Sequence, residues 1–234
     1  MLQELRLYTV PPGRLGDHHV RHNGKLATIC QSHGIDIVGR WSALVGQGTP
    51  MFAYMMRYSG FAEREAQWDS FYRDQAWWKY REETNAGFEM VDRVDLHFLK
   101  PNIAWQPSPA EREAPLGGTH ELQFVEVSVG RTSEAADFLA QVLLPAVERH
   151  GGTIMMVSDF VSGVCLPRVA LMIAWPDIQA HYQSRRAVDD DVRVKAAQSE
   201  ERQRMGRTSL GRVDAYLLEP AAYNLPRSRL GRTD

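Results

Sequence analysis

The sequence predicts an α+β fold built twice over, two βαββαβ halves packed sheet to sheet as a single-chain barrel. Three observations predict it. The first is an internal repeat. Gly13-Arg14 recurs as Gly130-Arg131, His33-Gly34 as His150-Gly151 and Gly46 as Gly163, each 117 positions on. Near the ends of the halves the offset becomes 119, with Arg93-Val94-Asp95 returning as Arg212-Val213-Asp214. A fixed offset with one small insertion is what tandem duplication leaves behind. The second observation is an order of elements, read from hydrophobic periodicity, that is the same in both halves. The third is strand parity. One strand face is apolar, with Leu5 and Leu7 matched by Leu122 and Phe124, and Val94, Leu96 and Phe98 matched by Val213, Ala215 and Leu217. The other face carries Glu4, Arg6, Tyr8, Arg93, Asp95 and His97. A sheet with helices on one side needs a cover on the other. Two such sheets cover each other, with the charged residues paired near the seam.

Taken in order, residues 1–101 form the first half. Leu2–Val10 alternates as a strand until Pro11-Pro12-Gly13 breaks it. Leu15, His19, His22, Leu26, Ile29 and His33 fall three and four apart, a helix ended by Gly34. Ile35–Val45 and Met51–Tyr58 are strand-like across a glycine- and proline-bearing link. Phe61–Asn85 is helical, aromatic and broken near Asp74; Phe88–Leu99 closes the half before Pro101. Residues 102–118 read as a proline-rich linker. Residues 119–220 repeat the order: strand Glu121–Val129, helix Ser133–Arg149, and strands near Ile154–Ser162 and Val169–Trp175. A helical segment around Asp177–Arg186 follows, then a helix opened by Asp189-Asp190-Asp191, where carboxylates meet the positive end of the helix dipole. It stops at Gly206, and Leu210–Leu218 is the last strand. Residues 221–234 are a polar tail, expected to be mobile. Each βαββαβ unit is the ferredoxin-like motif, so the expected architecture is a pseudo-dimeric α+β barrel.

Composition narrows the partners. The formal charge is -2 and neither half is strongly basic, which argues against nucleic acid or an anionic membrane. No stretch approaches the roughly 18 apolar residues of a spanning helix, and the first residues lack the apolar run of a secretion signal. Cys30 and Cys165 are not related by the repeat and neither belongs to a CxxC pair, which fits free thiols in the cytoplasm. There is no P-loop, no Rossmann glycine fingerprint, no GxSxG elbow and no HExxH.

Several short segments together resemble the NIPSNAP family of the dimeric α+β barrel superfamily. They are Glu4-Leu5-Arg6-x-Tyr8-Thr9, Pro12-Gly13, His33-Gly34, Gly39-x-Trp41, Gly46, Tyr58-Ser59-x-x-Ala62-Glu63-Arg64 and Trp77-Trp78. The resemblance covers about residues 3–101. The second half has Trp175-Pro176-Asp177 where the first has Tyr58-Ser59, and reads as a scaffold copy. The resemblance implies the barrel and a ligand held between sheet and helices. The superfamily also contains cofactor-independent quinone-forming monooxygenases, lactone isomerases and haem enzymes, a guide to chemistry by analogy alone.

Two copies of one fold act as each other's control. Leu139 stands where the first copy has His22, Ala136 where it has His19, and Ala135 where it has His18. Burying an unpaired imidazole costs roughly 1–3 kcal/mol. His22 is therefore either a hydrogen-bonded core histidine or an acid/base group in a pocket, with His19 on the same stripe. His18 and His22 have the spacing to share a metal, but no third ligand is evident. Haem through His22, His19 or His97 lacks a signature, so no cofactor is expected. Tyr54 stands opposite Leu171 in the repeat, as core filler or proton donor. Arg57 replaces Ala174, to bind an anionic group or to form a seam salt bridge with Glu4 or Asp95. Trp41, Trp68 and Trp77, with Met56, either line a cavity for a flat molecule or make a heavier core. Arg93 with Asp95, and Arg212 with Asp214, read as reciprocal seam pairs.

The expected function is a cofactor-independent enzyme of small-molecule metabolism. Its substrate would be a small organic molecule, aromatic or polyketide-like, changed by acid/base-assisted oxygenation, isomerisation or elimination. His22, Tyr54 and His19 are the candidate catalytic residues; Trp41, Trp68, Trp77, Arg57 and Met56 are the candidate substrate contacts. The alternative is a non-catalytic protein that binds small molecules or other proteins. The pseudo-dimer is intramolecular, and further association is left open.

Overall fold

A computed structural model of the chain describes residues 1–102, 105 and 116–224. The first half contains β1 (Leu2–Thr9), α1 (Leu15–Asn23), α2 (Lys25–Ser32), β2 (Asp36–Val45), β3 (Met51–Tyr58), α3 (Phe61–Arg73), α4 (Gln75–Asn85) and β4 (Arg93–Pro101). The second contains β5 (Thr119–Val127), α5 (Thr132–Phe138), a π-helical turn (Leu139–Leu143), α6 (Leu144–Arg149), β6 (Thr153–Phe160) and β7 (Arg168–Trp175). It ends with α7 (Ile178–Asp190), α8 (Val192–Met205) and β8 (Leu210–Pro220). The strands form a closed barrel in the order β1-β3-β2-β8-β5-β7-β6-β4. Each half contributes the ferredoxin-like order, β4-β1-β3-β2 and β8-β5-β7-β6. The halves join edge to edge through antiparallel β2–β8 and β4–β6 pairs, so the exposed edges of each sheet are satisfied by the other.

The barrel gives β1, β3, β5 and β7 two buried faces, while β4 and β8 keep a largely exposed or half-buried outer face. Leu5, Leu7, Met51, Met55 and Leu99 meet Leu122, Phe124, Met156, Met172 and Leu218 inside it. Outside, the helices of each half cover a separate core: Phe52, Tyr54, Met56, Trp68 and Phe71 in the first, Val125, Leu139, Leu171 and Trp175 in the second. This corrects the parity reading on β1. Its apolar face fills the barrel, and its polar face (Glu4, Arg6 and Tyr8) lies under the helices. Apolar parity identifies a helix-facing side only when the other side is wet, and here it is a second core. On β4 the reading holds, with Phe98 packed under the helices and His97 between Phe124 and Phe160 inside.

The seam pairs also differ from expectation. Arg93 pairs with Asp95 and Arg212 with Asp214, each at 2.8 Å within its own strand, and Arg168 joins Asp214 at 2.7 Å. Residues two apart share a strand face, so the shorter reach wins. Polar contacts that cross the seam include Ser158 Oγ donating to Gln3 Oε1 at 2.6 Å and Trp41 Nε1 donating to His120 Nδ1 at 2.9 Å.

Helix boundaries carry three further corrections. The single helix expected over 15–33 breaks at Gly24, where a Cβ would sit 2.5 Å from the Tyr80 hydroxyl. At the matching place the second half keeps a continuous helix but widens it into the π turn. Phe88–Val91 is irregular and β4 begins only at Arg93. Of the acidic run, Asp191 alone caps α8; Asp189 and Asp190 finish α7. Asp74 caps α4 in the same way, and each cap is held by a histidine, His33 at 3.0 Å and His150 at 3.1 Å, so this pair is part of the repeated scaffold. The linker expectation falls largely outside the described residues, although Trp105 packs in the second-half core. The tail is fixed at its start: Asn224 Oδ1 accepts from the Arg40 backbone and its Nδ2 donates back to the Arg40 carbonyl. Residues 225–234 lie outside the described residues.

Candidate active site

Between the first-half sheet and its four helices lies a cavity of about 420 Å³. Its floor comes from β1 and β3, which present Arg6, Tyr8 and Tyr54 outward by strand alternation; register pairs Arg6 with Tyr54 directly. One wall is α1, where His18 and His22, four apart, share a face. The other wall is aromatic, Trp68 from α3 and Trp77 from α4, and the start of β4 forms part of the rim.

The floor is a connected polar network. Glu4 is fully buried and accepts from Arg6 Nε at 2.6 Å and from Arg64 Nε at 2.8 Å. Arg6 Nη1 in turn donates to Tyr8 Oη at 3.1 Å and Tyr54 Oη at 3.3 Å, and its guanidinium stacks 3.9 Å from the Trp68 ring. Burial disfavours the Arg6 cation, but the Glu4 carboxylate beside it and the accepting Tyr8 hydroxyl hold the guanidinium above its ordinary value. The two tyrosine hydroxyls are 2.6 Å apart. Two hydroxyls sharing one hydrogen bond use one of their two protons, and arginine, which only donates, consumes neither. One phenolic proton is left for a molecule in the cavity. Burial raises Tyr54 well above its ordinary value, against the pull of Arg6, so it stays a neutral phenol.

The histidine wall is under-satisfied. His18 Nε2 donates to the Met90 carbonyl at 3.0 Å, which leaves Nδ1 as an acceptor with no partner. His22 is 4% exposed, packs against Phe52 and Tyr54, and makes no hydrogen bond among the described residues; its Nδ1 and Trp77 Nε1 are buried without partners. Burial pushes His18 down to about 4 and His22 well below its ordinary value, helped for His22 by His18 and Arg40. Both are neutral bases at physiological pH. Unfolded, each would bind a proton below about 6.5, so the unfolded chain holds more protons and stability drops as pH falls from 6.5 toward 4. Chemical unfolding across this range should show that decline, and His22→Leu should flatten it by about 1.4 kcal/mol per pH unit. An unchanged slope would mean that His22 is protonated or solvated in the folded protein.

Of the sequence-predicted residues, the cavity brings together His22, Tyr54, Trp68 and Trp77. Four lie elsewhere. His19 points away from it, with Nε2 2.6 Å from Ser42 Oγ and Nδ1 3.0 Å from Tyr223 Oη. One residue of helical rotation separates it from His18, which takes the place beside His22. Trp41 is inside the barrel on His120. Met56 is buried beside the cavity, accepting from Tyr58 Oη. Arg57 pairs at 3.0 Å with Asp36, its neighbour on β2, rather than with Glu4 or Asp95. Among the described residues no three His, Cys, Asp or Glu side chains group as metal ligands. His97, inside the barrel, and His22, outside it, lie on opposite faces of the sheet. No described helix is long and apolar enough to cross a membrane. The sequence reading missed Arg6, Tyr8 and His18 as cavity residues. The repeat carried the signal, since the second half has Gln123, Val125 and Ala135 at these places.

Residues 3–104 match the NIPSNAP family profile. No curated protein matches the chain in sequence. In fold it is similar over 97% of its length to a candidate monooxygenase from Lactobacillus acidophilus NCFM, with TM-score 0.60, 10% identity and 96% of that chain covered. A second candidate monooxygenase, from Fusobacterium nucleatum, aligns over 99% of this chain and 95% of its own with TM-score 0.58 and 8% identity. An anthrone oxidase-like protein aligns over 98% and 93%, with TM-score 0.52 and 14% identity. At these identities the likeness shows the fold.

Proposed function

We propose that this chain, whose residues 3–104 are a NIPSNAP domain, is an acid/base enzyme that acts without a cofactor on a small planar ketone or phenol. The observation that carries the reading is the buried, unpartnered His22 imidazole beside a phenol pair with one proton to spare. A carbonyl oxygen placed at Tyr8 and Tyr54 accepts that proton's hydrogen bond, with Arg6 behind it to stabilise the charge that develops. Neutral His22 takes a proton from the acidic C–H or O–H of the same molecule, leaving an enolate or phenolate. Trp68 and Trp77 flank a flat ring system. From that anion three outcomes balance. Reprotonation at another carbon is isomerisation, and loss of a leaving group is elimination. Reaction with dioxygen converts a ring CH₂ to a carbonyl, one oxygen atom entering the product and the other leaving as water.

Oxygenation of a fused tricyclic ketone is the first reaction to assay, because a neighbour in fold carries the anthrone oxidase-like name. Dioxygen uptake and product mass with a hydroxyanthrone should show turnover in the wild type. Tyr8→Phe/Tyr54→Phe should lose about 10²-fold in kcat, the scale of a lost oxyanion donor. Tight binding with no conversion of any such ketone would favour the ligand-binding alternative.

A further inference from the structure

The cavity continues past its rim. Trp78, Arg81 and Glu89 line it and also line a second hollow, of about 720 Å³, over the outer side of α4. Helical spacing makes both. Trp77 and Arg81, four apart, face the inner cavity, while Gln75, Trp78 and Glu82 form the adjoining stripe along the outer one. The opposite wall is the α4–β4 connection, where Ala86 and Gly87 take left-handed backbone (φ 50° and 88°) and leave Phe88 exposed. Trp78 is 43% and Phe88 75% exposed, an aromatic pair on one hollow. Two of the shared residues are paired: Arg81 donates to both Glu89 carboxylate oxygens at 2.8 and 2.7 Å, a solvent-screened pair that a ligand can part. In the repeat, Val192, Lys195 and Gln198 replace Gln75, Trp78 and Arg81, so the second half lacks the feature.

We infer that the ligand is bipartite, with a planar core in the inner cavity and a hydroxyl-rich, glycosyl-type substituent in the outer hollow. The inference rests on the reading of the inner cavity given above. Indole and phenyl faces suit the C–H face of a sugar ring, and Gln75, Lys79 and Glu82 supply donors and acceptors in the same wall. An alkyl tail would desolvate those groups without replacing their hydrogen bonds. An anionic tail would meet Glu82 and Glu89 as well as Lys79 and Arg81, with no net positive charge to hold it.

Fluorescence titration of the full chain with a trihydroxyanthraquinone and with its O-glucoside tests this. The glucoside should bind about tenfold tighter. Phe88→Ala, at a position exposed enough to leave folding intact and lining only the outer hollow, should erase that gain and leave the aglycone's Kd unchanged; Trp78→Ala, at a residue shared by the two compartments, should erase the gain as well. If the aglycone binds but the glucosyl group adds nothing, or a hexyl ether gains as much, the bipartite assignment is overturned and the inner-cavity reading stands. A gain that survives both substitutions places the sugar elsewhere and also overturns it. If neither compound binds, both readings fall.

Discussion

His22→Leu is expected to stabilise the protein and to abolish its turnover. Leucine is what the second half uses at this place, where Leu139 packs in one core with Val125 and Leu171. Removing a buried imidazole with no hydrogen bond recovers about 1–3 kcal/mol, which for a chain of this size raises Tm by about 2–4 °C per kcal/mol. If His22 is the base, kcat should fall by about 10²–10⁴. The two effects would share one cause, a neutral nitrogen held away from water. A higher Tm with undiminished activity would leave His22 as a packing residue and end the catalytic assignment.

Glu4→Ala should be the most destabilising single change in the network, by about 3–5 kcal/mol. It strands the buried Arg6 cation, and the charge left behind outweighs the contact removed. The second half offers an internal control. Glu121 is equally buried, but the residue in the place of Arg6 is Gln123, whose amide donates at 2.7 Å and carries no charge. Its basic neighbours are looser, His181 at 3.4 Å and Arg185 at 3.8 Å. Glu121→Ala should therefore cost less, and adding Arg6→Gln to Glu4→Ala should recover part of the loss. Equal losses in the two halves by denaturant unfolding would contradict a special charge network under the cavity.

The barrel was legible because duplication doubled every signal: the repeat offsets, the break at Asp74 and the strand order survive into the structure nearly residue for residue. The cavity was half legible. His22 and Tyr54 stood out by contrast with Leu139 and Leu171, and they do share a cavity. Arg6 and Tyr8 stood out equally, against Gln123 and Val125, but a charged strand face reads as a seam when a closed barrel core cannot be told from a helix-covered one. The exchange of His19 for His18 has a different origin. Adjacent helical residues differ by about 100°, and a break at Gly24, where a side chain would meet the Tyr80 hydroxyl, is invisible to periodicity. Arg57 found Asp36 because cross-strand register, fixed only on folding, put them side by side.

A crystal structure with a hydroxylated anthraquinone bound tests most directly whether one copy of the duplicated fold is the proposed acid/base pocket while the other stays packed. The ligand is predicted between Trp68 and Trp77, a carbonyl oxygen within hydrogen-bonding distance of Tyr8 or Tyr54 Oη and a hydroxyl facing His22. Ligand density inside the barrel among the methionines, or under the helices of the second half, would contradict it.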